Sequence, residues 1–124
     1  MYERKSILMD KSKAFALRII KMYQYMCEEK KEYVLSKQVL RSGTSIGANI
    51  HKGFSAQSDA DFISKLAISQ KETSETLYWL ELLHESSYLS DDSFTSIYAD
   101  CEELMKLLTS SIKKVKLKNL TPNT

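Results

Sequence analysis

Apolar residues return every three or four positions along most of this chain, and the pattern breaks only at three short intervals. That is the period of an amphipathic α-helix, not the alternation of a strand. From about Asp10 to Lys31, Phe15, Ile19, Met22 and Met26 form one stripe; Ala16, Ile20, Tyr23 and Cys27 form a second beside it. Together they cover more than one bundle seam needs, which predicts burial on two sides. From about Ser36 to Gly53 the inner face is Val39, Leu40, Gly43, Ile46, Gly47 and Ile50. From about Ser58 to Ser87 the stripe is Phe62, Leu66, Thr73, Leu77 and Leu80, and the stretch Leu77–Leu83 is apolar nearly all round. From about Asp91 to Lys118, Ile97, Cys101, Leu104, Leu108, Ile112 and Val115 alternate by four and three, the bundle pattern.

The ends of these segments carry helix signals. Ser58 is a good N-cap with Asp59 and Asp61 in the turn that follows, where the helix dipole favours acids. Ser90 caps the last segment, with Leu89 and Phe94 at hydrophobic-staple positions. Gly43 and Gly47 are four apart and stack on one face of the second helix. Each weakens a helix by roughly 1 kcal/mol relative to Ala, which close approach of a neighbouring helix could offset. A loop over Ser42–Ser45 competes with this reading, but the apolar spacing runs on through it. Residues 119–124 are polar, hold the only proline, and are expected to fray.

Connections near 32–35, 54–57 and 88–90 are short enough to force neighbours antiparallel. The predicted fold is therefore all-α: a single up-down-up-down four-helix bundle spanning residues 1–124. The 124 residues contain 3 glycines and 1 proline, too few for the turns of a sandwich or barrel.

Net charge is only +2, but its distribution is uneven. In the predicted topology one end gathers Arg4, Lys5, Lys11, Lys13, Lys52, Lys113, Lys114, Lys116 and Lys118 against Asp10, Asp59 and Asp61. The opposite end gathers Glu28, Glu29, Glu32, Glu81, Glu85, Asp91 and Asp92 against Lys30, Lys31 and Lys37. A basic pole and an acidic pole are expected. Two cysteines are too few for a disulfide scaffold, and neither a signal peptide nor a membrane-length apolar run is present. The expectation is a cytoplasmic protein without a membrane partner.

Residues 36–85 carry a more specific signal. The run Ser36-Lys-Gln-Val-Leu-Arg-Ser-Gly-Thr-Ser-Ile-Gly-Ala-Asn-Ile50, then Phe62-Ile-Ser-Lys-Leu66, Glu75-Thr76 and Tyr78-Trp79-Leu80, resembles the four-helix-bundle proteins also called the 23S rRNA intervening-sequence protein family. Some members are encoded inside an insertion in the large-subunit rRNA gene. The resemblance implies small antiparallel bundles assembled into rings of five, with no established catalysis. A related bundle, the accessory variability determinant of diversity-generating retroelements, forms a basic pentameric barrel that binds nucleic acid and a reverse transcriptase. The chain departs from the pattern at Lys52, where the family carries an acid after Asn-Ile-x, and this makes the basic pole more basic.

Other constellations do not reach a chemistry. Gly43-x-x-x-Gly47 lacks the Gly-Lys-Ser/Thr and the preceding strand of a phosphate loop. Glu81-x-x-His84 has the spacing of a di-iron ligand pair, but a site needs a second copy and two further glutamates. His51 lies at the other end of the bundle. Cys27 and Cys101 differ in height by roughly 10 Å along the helices, too far for a disulfide, and read as buried thiols. Tyr23, Tyr25, Tyr78, Trp79 and Tyr98 fit subunit contacts better than base-stacking platforms. No catalytic residue, cofactor or metal is expected. The candidate site is phosphate contact by Lys5, Lys11, Lys13, Lys52, Lys113, Lys114, Lys116 and Lys118, amplified in a homopentamer. The expected partner is RNA or DNA; the alternative is an adaptor that binds a protein through its ring surface.

Overall fold

A computed structural model of the chain describes residues 2–120, with side chains from Ile7 onward. It contains α1 (Tyr2–Glu28), α2 (Leu35–Phe54), α3 (Asp59–Glu85) and α4 (Asp91–Leu120). Contacts between neighbours fix their directions. Ile19 meets Gly43 and Ser12 meets Gly47, so α1 and α2 run opposite ways. Ser69 bonds Ile46 and Thr76 bonds Ser42, so α2 and α3 do as well. Gln70 with Thr109 and Tyr98 with Glu81 show the same for α3 and α4. Lys11 with Glu103 and Arg18 with Ser96 close the square between α1 and α4. The fold is an antiparallel four-helix bundle.

The core is the expected stripe with edits. Phe15, Ile19 and Met26 of α1 are buried, but Met22 is only half-buried and Leu8 joins the core instead. Val39, Ile46 and Ile50 come from α2, and Leu66, Leu80 and Leu83 from α3. Ile97, Cys101, Leu104, Leu108 and Ile112 complete it from α4. The second stripe of α1 is half-buried at Ala16, Tyr23 and Cys27 and exposed at Ile20.

Both ends of α1 differ from the expected positions. It begins at Tyr2, not near Asp10, because Leu8 continues the inward face one turn before Ser12 and Phe15. It ends at Glu28, before Lys31, whose φ of 54° lies in the left-handed region and turns the chain. The Glu32 N–H then returns to the Met26 carbonyl at 3.0 Å. Residues 42–45 are helical, so the loop alternative is excluded. The last helix runs through Asn119 and Leu120, two positions expected to fray; 121–124 lie outside the described residues.

The caps show why the connections are tight. Ser58 accepts from the Asp61 N–H at 3.1 Å, and Ser90 accepts from the Ser93 N–H at 3.2 Å, as expected for N-caps. At the end of α3, Ser87 adopts a φ of 69°, its N–H bonds His84 O, and the Tyr88 N–H bonds Leu83 O at 2.8 Å. This is a Schellman motif with serine at the left-handed position. The start of α2 is capped from further upstream. The Glu32 carboxylate accepts the N–H groups of Val34 at 2.9 Å, Leu35 at 3.0 Å and Ser36 at 2.7 Å. The Ser36 hydroxyl returns a bond to the Glu32 carbonyl at 2.7 Å. Although burial raises the carboxyl pKa, the bonds from Ser36, Leu35 and Val34 outweigh it and hold Glu32 below its ordinary range.

Candidate nucleic-acid interface

The lysines expected at the basic pole divide into two groups. Lys52 ends α2, and Lys113, Lys114, Lys116 and Lys118 occupy the last turns of α4. All five are exposed. Lys118 pairs with Asp59 at 3.3 Å, which joins the end of α4 to the start of α3. Asp61 is taken by Lys65 at 3.4 Å. Lys52, Lys113, Lys114 and Lys116 make no ion pair among the described residues. With Asp59 and Asp61 occupied, this end of the bundle presents an excess of ammonium groups that are unpaired among the described residues.

Lys11 and Lys13 do not belong to that group. Because α1 begins at Tyr2, Lys11 stands about 13 Å along the helix from its first residue. It pairs across to Glu103 at 3.3 Å, and Glu103 lies about 22 Å below Lys118 along α4. Lys13 is exposed on the same part of α1. Both lie on the side of the bundle. The Lys5 side chain lies outside the described residues.

Several of the remaining candidates have structural partners. Arg41, inside the Ser36–Ile50 run that carries the family resemblance, pairs with Glu72 at 3.5 Å and with Glu75, tying α2 to α3. The Trp79 indole N–H donates to Glu75 at 3.0 Å. That bond, with the Arg41 guanidinium, keeps the Glu75 carboxyl below its ordinary range against the effect of partial burial. Glu81 and His84, at di-iron spacing, are occupied separately. Glu81 accepts the Tyr98 hydroxyl at 2.5 Å, and His84 Nε2 meets Asp91 at 2.7 Å while its ring stacks on Phe94. The bond to Glu81, with burial, pushes the Tyr98 hydroxyl up to about 12. No cluster of three or more metal-ligating side chains occurs among the described residues. Cys101 is buried, its thiol donates weakly to the Thr73 carbonyl at 3.7 Å, and burial pushes it up to about 12. Cys27 is free and half-buried, more accessible than expected. Trp79 and Tyr98 are half-buried, whereas Tyr25 and Tyr78 are 47% and 54% exposed.

A bundle with this core and this distribution of lysines defines a small all-helical protein with a group of exposed lysines at one end. The chain belongs to the 23S rRNA-intervening sequence protein family, whose model matches residues 4–110. It is also similar to a crystal structure from Bacteroides thetaiotaomicron, a protein of unknown function from the S23 ribosomal protein family. The two are 52% identical with a TM-score of 0.88, over 89% of this chain and 98% of that one. No curated protein matches the chain. Neither the family nor the neighbour carries a catalytic designation. No helix among the described residues is long and apolar enough to cross a membrane.

Proposed function

We propose that this protein is a non-enzymatic, oligomeric binding module that contacts RNA or DNA phosphates through the lysines at the ends of α2 and α4. The observation that carries this reading is the set Lys52, Lys113, Lys114 and Lys116, exposed and without ion pairs among the described residues. Ammonium groups grouped in this way bind phosphate by releasing condensed counterions, with little regard to sequence. One protomer at +2 has a weak field, and a ring of five copies would multiply it. Exposed Leu17 and Ile20 on α1, and Ile68 and Tyr78 on α3, support such assembly, because apolar and aromatic side chains of this kind favour protein contact. The same side chains favour the second reading, an adaptor that binds another protein through its ring surface.

Fluorescence anisotropy of labelled RNA and DNA, single- and double-stranded, tests the reading at two salt concentrations. Binding is expected to weaken steeply with salt. The Lys113→Gln, Lys114→Gln, Lys116→Gln variant should lower the log–log salt slope by about one for each phosphate it no longer neutralises. Absence of binding at low salt, or a variant with an unchanged slope, refutes the reading and leaves the adaptor.

A further inference from the structure

Between α1 and α4, near the turn that joins α3 to α4, lies a groove of about 580 Å³. That is the size of a small-molecule pocket. Met22, Tyr25 and Tyr88 make part of its lining apolar and aromatic, three serines make another part polar, and its charged lining residues are Arg18, Lys21 and Lys30. No acid lines it, although it lies at the end of the bundle that is rich in acids. Several of those acids have other partners. Asp91 meets His84, Glu81 accepts from Tyr98, and Glu32 caps α2. Arg18 binds Asp100 and Ser96, each at 2.7 Å, while Lys21 and Lys30 make no ion pair among the described residues. Two uncommitted ammonium groups beside a half-apolar hollow are complementary to an anion with a flat apolar body.

The ends of the groove limit the size of its occupant. Arg18 spans from α1 to Asp100 and Ser96 of α4 and closes one end. The turn from Ser87 to Ser90 lines the other. A polymer threading along the bundle would meet both barriers, whereas a compact ligand meets neither.

We propose that this groove is a binding site for a small aromatic anion, its ring against Met22, Tyr25 and Tyr88 and its charge on Lys21 and Lys30. The site is independent of the lysines on the last turns of α4. Ser90 and Lys113 are about 34 Å apart along α4, so either site can fail without the other.

The probe is 1-naphthyl phosphate, titrated into protein carrying methyl-labelled methionine and isoleucine and followed by NMR. The methyls of Met22 and of Ile97, which also lines the groove, should shift saturably, while those of Ile68 and Ile112 stay in place. The Lys21→Glu, Lys30→Glu variant changes two exposed side chains, so circular dichroism should show an intact fold. It should bind at least tenfold more weakly. Inorganic phosphate and neutral 1-naphthol should each also bind at least tenfold more weakly than the probe. The proposal is overturned by shifts confined to Ile68 or Ile112, by no saturable shift at Met22 and Ile97, or by unchanged affinity in the charge-reversed variant. Equal binding of 1-naphthol or of inorganic phosphate also overturns it.

Discussion

Replacing Glu32 by alanine tests the cap that starts α2. Its carboxylate belongs to a residue only 8% exposed and accepts three backbone N–H groups that the helix itself cannot satisfy. The three do not contribute equally. Val34 is 72% exposed and Leu35 partly so, and their N–H groups can rehydrate at roughly 0.5 kcal/mol each. Ser36 is fully buried, and an orphaned N–H there costs roughly 1–3 kcal/mol. Losing the negative charge at the helix start adds roughly 0.5 kcal/mol. Glu32→Ala should therefore lose about 2.5–4.5 kcal/mol. Glu32→Gln keeps one carbonyl oxygen but points its amide donors at another N–H, and should lose about 1–2 kcal/mol. Urea unfolding of the three proteins at one fixed protomer concentration measures both differences. The carboxyl is held below its ordinary 4.5, so its contribution is complete above that pH and disappears as pH falls through the lower folded value. The gap between wild type and Glu32→Gln should accordingly shrink from pH 7 to pH 3. A gap that stays constant over that range, or an alanine variant within about 0.5 kcal/mol of wild type, would refute the reasoning.

Further tests address packing and thiol chemistry. A Cβ on Gly43 would lie 3.0 and 3.1 Å from two carbons of Ile19, which is itself fully buried. Gly43→Leu should therefore destabilise by about 3 kcal/mol in urea unfolding, despite its better helix propensity. Gly47 is half-buried, with Ser12 Oγ 3.2 Å from the Cβ position, so Gly47→Leu should lose less; a larger loss than at Gly43 would overturn this ranking. In a thiol-reagent assay, Cys27 should react in the native protein, and Cys101, buried and raised to about 12, should react only after unfolding. Two fast native equivalents would contradict the burial of Cys101.

Much of the architecture is legible in the sequence because the apolar stripe carries it. Ser58 and Ser90 cap as their positions predict, and the inner face of α2 runs through both glycines. The start of α1 is hidden because only Ile7, Leu8 and Met9 are apolar in a charged stretch, and of these only Leu8 is fully buried. Placing that start too late also misplaces Lys11 and Lys13, since their height depends on where the helix begins. The cap by Glu32 is not legible either. Capping signals place Ser, Thr, Asp or Asn directly at the boundary, and this glutamate reaches three N–H groups from two positions before Val34. Lys31 and Ser87 take left-handed conformations where glycine would have marked the turn. Met22 reads as core because periodicity records which residues face a neighbouring helix and not how far away that helix stands.

That separation differs from seam to seam, and the side chains explain why. Between α1 and α2, Gly43 and Gly47 admit Ile19 and Ser12 to within contact of the backbone. Between α2 and α3, small hydroxyls do the same work: Ser69 donates to the Ile46 carbonyl and Thr76 to Ser42, both at 2.8 Å. Close approach there leaves no buried side-chain polar atom without a partner among the described residues. The seam between α1 and α4 is bridged instead by Lys11 with Glu103 and Arg18 with Asp100, long side chains 38–50% exposed. Such pairs contribute roughly 0–1 kcal/mol each and can span a wide gap. Stability therefore resides in the glycine- and hydroxyl-lined seams, and the α1–α4 seam is where the bundle can hold an opening without disturbing its core. The groove lies there, beside Met22, the residue of the inward stripe of α1 that the neighbouring helix leaves half-covered.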